Sequence, residues 1–248
     1  MSGHSKWSTI KRKKGEKDGA RAKIFTKVSR EIIVCIRESG NPNPTTNGKL
    51  RALIAKAKQN SIPNDNIDRL LKKASSEKSD YKRKVYEGYG IGGVAVIVDC
   101  LTDNLNRTAG EVRHYFDKFG GNMGTSGCVS YLFTPKGIII LDNEDEKLDF
   151  DKVMEDVLET GGNDLNFEQD EDDGETVNTV KIETDPDVVS DVAEKLTGLG
   201  YTVLSSEVQE IPSTTAVLSE EQLVKFELML DAMEDYDDVQ NVWHNLES

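Results

Sequence analysis

The chain has 248 residues, of which 36% are hydrophobic and 31% charged, and its formal net charge is −14. That apolar content supports real cores and excludes wholesale disorder, and the length suits about two or three domains. No apolar run approaches the roughly 20 residues that cross a bilayer, and the N-terminus lacks the apolar region of a secretory signal.

The charge is unevenly placed. The first 84 residues hold 22 of the 31 basic residues and 8 of the 45 acidic ones, a net +14, while the rest of the chain carries −28. A basic module invites a polyanion, nucleic acid first and an anionic membrane second, and the acidic remainder repels one. The opening stretch GHSKWSTIKRKKGEKDGARAKIFTK sets Lys6, Lys11, Arg12, Lys13, Lys14, Lys17, Arg21, Lys23 and Lys27 among Ser, Thr and Gly. Lys and Arg neutralise phosphates, and Trp7 either stacks on a base or anchors the tail to the helical core. The stretch is basic and acid-poor, as organellar transit peptides are. Patterned helix follows almost at once, so it reads as a functional segment.

Helical spacing then repeats three times. Phe25, Val28, Ile32 and Cys35/Ile36 mark the first helix, and Gly40 stops it. NPNPTTNG is a loop. Leu50, Leu53, Ile54 and Ala57 mark the second helix; Ile67, Leu70, Leu71 and Ala74 mark the third, after SIPNDN. Their polar faces carry Lys49, Lys56, Lys58, Arg69, Lys72 and Lys73, next to the basic tail. SSEKSDYKRK reads as a linker.

From Val94 the pattern changes. GGVAVIVDCLT is a buried strand, and RTAGEVRHYFDKFGG is a helix with a Thr108/Glu111 capping box and an apolar stripe of Val112, Tyr115, Phe116 and Phe119. CVSYLFT is the next strand. The strand GIIIL, a helix over DFDKVMEDVLETGG, the strands LNFEQ and VNTVKIET, a helix over DPDVVSDVAEKLTGLG and the strand YTVLS follow in the ferredoxin-like order. SEVQEI, the helix SEEQLVKFELMLDAMEDY and VQNVW form a last β-α-β. The economical topology joins this last unit to the first one and inserts the ferredoxin-like unit between them, with a long strand near Tyr201 to Ile211 crossing over. The expected fold class is multi-domain α and α+β. Residues 1–80 form a basic three-helix domain, 81–134 plus 207–248 an α+β domain, and 135–206 an inserted ferredoxin-like domain.

Chemistry-bearing motifs are few. GYGIGG matches G-x-G-x-x-G, but its glycines precede a strand, whereas a dinucleotide site needs them after a strand and opening a helix. It reads as a turn entering the sheet. DEDDGE lacks the first Asp and the twelfth-position Glu of a calcium loop and reads as an acidic hairpin turn. Cys35, Cys100 and Cys128 are far apart among apolar neighbours, which fits buried thiols in a reducing cytoplasm rather than disulfides or a zinc site. His4, His114 and His244 lie in separate segments, and no nucleophile, zinc or phosphate-loop motif is present. The reading is therefore not an enzyme, with no cofactor, no metal, no membrane and no small-molecule substrate. In TDNLNRTAGEVRH, Asp103, Asn104 and Asn106 serve capping and turn formation or contact an anion. Arg107 opposes the helix dipole and is a further candidate nucleic-acid contact.

The stretches GHSKWSTIKRKK, AKIFTK, NDNI, TDNLNRTAGEVRH, GGNMGTSG, IPST and YDDVQNVWHN resemble the YebC family, which includes mitochondrial translational activators of cytochrome oxidase. The resemblance runs nearly end to end. Ile91 stands where the family usually has Pro, and Ala22 where it often has Gly. It implies a helical N-terminal domain followed by two α+β domains, one ferredoxin-like and inserted in the other. It also implies a non-enzymatic regulator of gene expression, described in the family either as a DNA-binding transcriptional regulator or as a ribosome-associated translation factor that relieves stalling. The expected partner is ribosomal RNA on the ribosome or duplex DNA, and the expected compartment is the cytoplasm. No helix shows a base-reading signature, which disfavours sequence-specific duplex recognition.

Overall fold

The computed structural model describes residues 19–60, 62–76, 80–144, 146–172 and 175–247. Three helices come first: α1 (Gly19–Ser39), α2 (Gly48–Gln59) and α3 (Asn64–Ser76). Gly40, at φ 62°, ends α1 in the left-handed conformation that glycine adopts without a Cβ clash. Asn47 caps α2 by accepting a hydrogen bond from the Leu50 N–H. The stripes Val28/Ile32/Cys35/Ile36, Leu50/Ala57 and Ile67/Leu70 meet in one buried cluster, as their spacing predicts.

Two four-stranded antiparallel sheets follow. The first has the order β3-β1-β2-β8, from β1 (Lys82–Tyr89), β2 (Ala95–Thr102), β3 (Asn122–Met123) and β8 (Val239–His244). Helices α4 (Leu105–Lys118) and α7 (Glu220–Asp235) supply Val112, Phe116, Phe226, Met229 and Met233 to its core, against Val96 and Val98. On its other face Ala95 and Ile97 pack with Val129 and Phe133. Strand β2 is therefore buried at every position, which is why its apolar residues run consecutively rather than alternate, and its polar side chains Asp99 and Thr102 are bonded to Arg83 and Asp238.

The second sheet has the order β5-β6-β4-β7, from β4 (Phe133–Asp142), β5 (Asp164–Asp172), β6 (Glu175–Thr184) and β7 (Val203–Pro212). With α5 (Phe150–Thr160) and α6 (Val189–Gly198), this is the ferredoxin-like arrangement, lying in the chain between β3 and β8 of the first sheet. Its core holds Ile139, Leu141, Val157, Val180, Ile182 and Leu196. Strands β4 and β7 pair from Phe133↔Pro212 to Leu141↔Val203. The segments YTVLS and SEVQEI are thus parts of one long strand. The acidic hairpin closes on the pair Asp172↔Glu175; residues 173 and 174 lie outside the described residues.

Four local expectations are corrected. The end of the expected linker is the start of β1, where exposed Lys82, Arg83 and Lys84 precede buried Tyr86, Glu87 and Gly88. Arg83 is no linker residue: it grips buried Asp99 on β2 with two hydrogen bonds, at 2.9 and 2.6 Å. CVSYLFT is not a separate strand. Ser130–Leu132 make a single 3-10 turn, and one strand, β4, runs from Phe133 through Pro135 into GIIIL. The strand that follows α4 is only the two-residue β3, which lies close along β1. A Cβ on Gly88 would sit 2.6 Å from the Asn122 carbonyl oxygen, and one on Gly121 2.6 Å from that of Tyr89. Finally, Asn104 caps α4, accepting from the Arg107 N–H at 3.1 Å, and Thr108 is buried one turn inside.

Cys35 and Cys100 are buried thiols and Cys128 is half-buried. No helix among the described residues is long and apolar enough to cross a membrane.

Candidate nucleic-acid interface

Of the candidate contact residues, Lys6, Trp7, Lys11, Arg12, Lys13, Lys14 and Lys17 lie outside the described residues. Arg21 falls in the first turn of α1. Lys23 and Lys27 recur at i, i+4 on the same helix, and Arg30 follows three residues later. All three meet the C-terminal end of α7 and the turn after it. Lys23 Nζ pairs with Asp235 at 2.9 Å, and Lys27 Nζ donates to the Glu234 carbonyl at 2.7 Å. Arg30 donates to the Asp237 carbonyl at 2.6 Å and to Asp238 Oδ1 at 2.7 Å. Cations placed on a helix C-terminus satisfy its orphan carbonyls and the negative end of its dipole.

Asp238 is the centre of this contact. Its side chain is only 3% exposed. Its Oδ2 accepts from Arg107 at 2.9 Å, Thr108 at 2.8 Å, Thr102 at 3.0 Å and Tyr236 at 3.1 Å. Burial alone pushes its carboxyl upward, but the hydrogen bonds from Arg107, Thr108, Thr102 and Tyr236 outweigh it and hold the group at about 2. Arg107, 48% exposed, also pairs with Asp103 at 2.8 Å. The hydrogen bond to Asp238, followed by those to Tyr236 and Asp103, shifts the Arg107 pKa upward. A cation at this helix start thus has a structural occupation, bridging α4 to the segment before β8. Sequence reasoning missed Arg30 and Asp238, because Asp238 sits in the run EDYDD, which looks like an ordinary solvated acidic stretch.

Other cations face outward. Lys49 and Lys58 on α2, and Arg69 and Lys72 on α3, are exposed. On α3, Arg69 and Lys72 lie opposite the stripe of Ile67, Leu70, Leu71 and Ala74, and Lys58 borders an open depression with Ile62, Pro63 and Asn64. Lys56 is half-buried and pairs with Glu31 at 3.5 Å. Burial opposes its charge, but Glu31 and Glu207 together keep its pKa raised. The outward set can hold phosphates by charge. Among the described residues no group of three His, Cys, Asp or Glu could hold a metal ion.

A second buried carboxylate organises the GGNMGTSG stretch. Glu87 on β1 accepts from the backbone N–H groups of Gly127, Val129 and Ser130 at 2.7, 3.0 and 2.9 Å. Burial raises its pKa, and the three N–H donors more than reverse that, leaving it lowered.

The chain matches two family models. Residues 5–77 match the TACO1/YebC protein N-terminal domain, and residues 81–246 the TACO1/YebC second and third domain. Among similar curated proteins are two named as probable transcriptional regulatory proteins. The one from Clostridium novyi is 48% identical, over 100% of this chain and 97% of that protein. The one from Ruminiclostridium cellulolyticum is 50% identical over the same shares. A crystal structure of a conserved hypothetical protein from Aquifex aeolicus superposes with a TM-score of 0.79 at 39% identity, covering 93% of this chain and 91% of that one.

Proposed function

The chain belongs to the TACO1/YebC family, and from that membership we propose that it is a non-enzymatic, nucleic-acid-binding regulator of gene expression that acts on the ribosome and relieves stalling. One observation carries the reading: a +14 segment is joined to a −28 remainder, and cations of its second and third helices are exposed. Long duplex DNA is a uniform line of phosphate, which repels the acidic units wherever the basic module is not in contact. A ribosome alternates RNA with basic protein, so the basic module can hold RNA while the acidic units face protein or solvent. The contacts in this reading are the tail cations Lys6, Lys11, Arg12, Lys13, Lys14, Lys17 and Arg21, together with Lys58, Arg69 and Lys72.

The names of the curated relatives favour a second reading, a DNA-binding transcriptional regulator. Sequencing the nucleic acid recovered after crosslinking in cells separates the two. Ribosomal RNA is the expected product. Recovery of discrete genomic DNA fragments without ribosomal RNA would establish the second reading.

A further inference from the structure

Helix α7 is apolar on more than one side. Phe226, Met229 and Met233 are fully buried against the first sheet, with Leu223 and Leu230 half-buried beside them. On the opposite side Val224 and Leu228, one turn apart, are 57% and 52% exposed, and Val217, just ahead of the helix, is 73% exposed. A lone exposed Val or Leu is ordinary on a protein surface. Here the apolar pair has a mostly acidic surround. At roughly 100° per residue, Glu220, Glu221, Glu227, Asp231 and Asp235 all fall within about 60° of Val224 around the helix. Lys225 pairs with Glu221 at 2.8 Å, and Glu220 and Glu227 set two further carboxylates beside Val224 and Leu228, so the rim around the pair is acidic.

That collar selects among occupants. Nucleic acid and an anionic bilayer are repelled by it, and a second copy presenting the same face would set like charge against like. A helix whose Leu or Ile side chains are flanked by Lys and Arg meets both requirements at once, covering the apolar pair and neutralising its rim. We infer that the outer face of α7 is a docking surface for a basic amphipathic helix of a protein partner, which seats its apolar side chains on Val224 and Leu228 and its cations against Glu220, Glu221 and Glu227. The site belongs to the acidic part of the chain and is independent of any nucleic-acid contact made by the helical unit.

The test uses the full chain and two labelled peptides of Leu and Lys with the same composition. One is ordered as an amphipathic helix; the other is scrambled so that no apolar face forms. Fluorescence anisotropy at near-physiological salt should show the amphipathic peptide binding about tenfold more tightly or better than the scrambled one. The double variant Val224→Ser/Leu228→Ser should abolish that preference while its thermal unfolding stays as in the parent, since both side chains are surface-exposed. Glu220→Gln/Glu227→Gln should weaken both peptides. Equal binding of the two peptides by the parent chain, or a preference that survives in the serine variant, would overturn the inference. So would a parent dimer in sedimentation that the serine variant converts to monomer, since the face would then belong to a second copy.

Discussion

Two sets of cations in the helical unit look alike in sequence and differ in structure. Lys23, Lys27 and Arg30 on α1 lie against residues 234–238, and Arg30 also sits over the Tyr81 ring, 5.3 Å from its centroid. Lys49, Lys58, Arg69 and Lys72 on α2 and α3 remain exposed. The first set joins the helical unit to the first sheet; the second stays at the surface. A segment's summed charge therefore overstates what it can offer a polyanion, because internal carboxylates and helix carbonyls already engage part of it.

The largest effect is expected at Asp238, which holds Arg30 of the inward set together with Arg107. Asp238→Ala removes the acceptor shared by Arg30, Arg107, Thr102, Thr108 and Tyr236, and should cost about 3 kcal/mol, the scale for stripping one partner from a buried ion pair. Urea unfolding measures it, and a loss below about 1 kcal/mol would show that the network is incidental. The same carboxylate gives an acid signature. Its folded pKa of about 2 lies below its ordinary value of 3.8, so its contribution is present above pH 4 and is lost as pH falls toward 2. The loss is about 2 kcal/mol, and Asp238→Asn should flatten that part of the pH–stability curve.

For the outward set the effect moves from stability to binding. Lys58→Ala/Arg69→Ala/Lys72→Ala should leave unfolding unchanged and make the log–log salt slope of nucleic-acid binding shallower. The change is up to roughly 0.9 per lost contact on a duplex and roughly 0.7 on a single strand. Replacing Lys11, Arg12, Lys13 and Lys14 by Ala should act in the same direction, whereas Lys23→Ala/Lys27→Ala should change the slope less than either. An equal change from all three variants would erase the distinction drawn here. The smallest effect is expected at Asp235→Ala, which breaks the exposed pair with Lys23 and should shift stability by no more than about 0.5 kcal/mol.

The helices and the ferredoxin-like unit were legible because each apolar stripe faces one core: Val28/Ile32/Cys35 and Ile67/Leu70 recur at helical spacing, and Ile139/Leu141 and Val180/Ile182 at strand spacing. Strand β1 was hidden because Lys82, Arg83 and Lys84 lie where it is exposed, and Arg83 is committed to an Asp that is distant in sequence. Strand β4 was split by Pro135, which the ladder tolerates. Thr108 has the spacing of a cap, but its hydroxyl is drawn into the Asp238 network instead. The candidate site was legible as composition only: periodicity showed that Arg69 and Lys72 lie away from the core, but not that Lys23 and Lys27 turn toward α7. We propose the bounds 1–80, 81–134 with 207–248, and 135–206 for the three units.

We propose that the charge division of this chain suits a ribosome and not a bare duplex. One preparation tests it, by co-sedimentation with purified ribosomes and by titration of labelled random duplex DNA at about 0.15 M salt, where charges are screened beyond about 8 Å. At this salt the protein should pellet with ribosomes and bind the duplex weakly. Tight, sequence-selective duplex binding with no ribosomal co-sedimentation would contradict it.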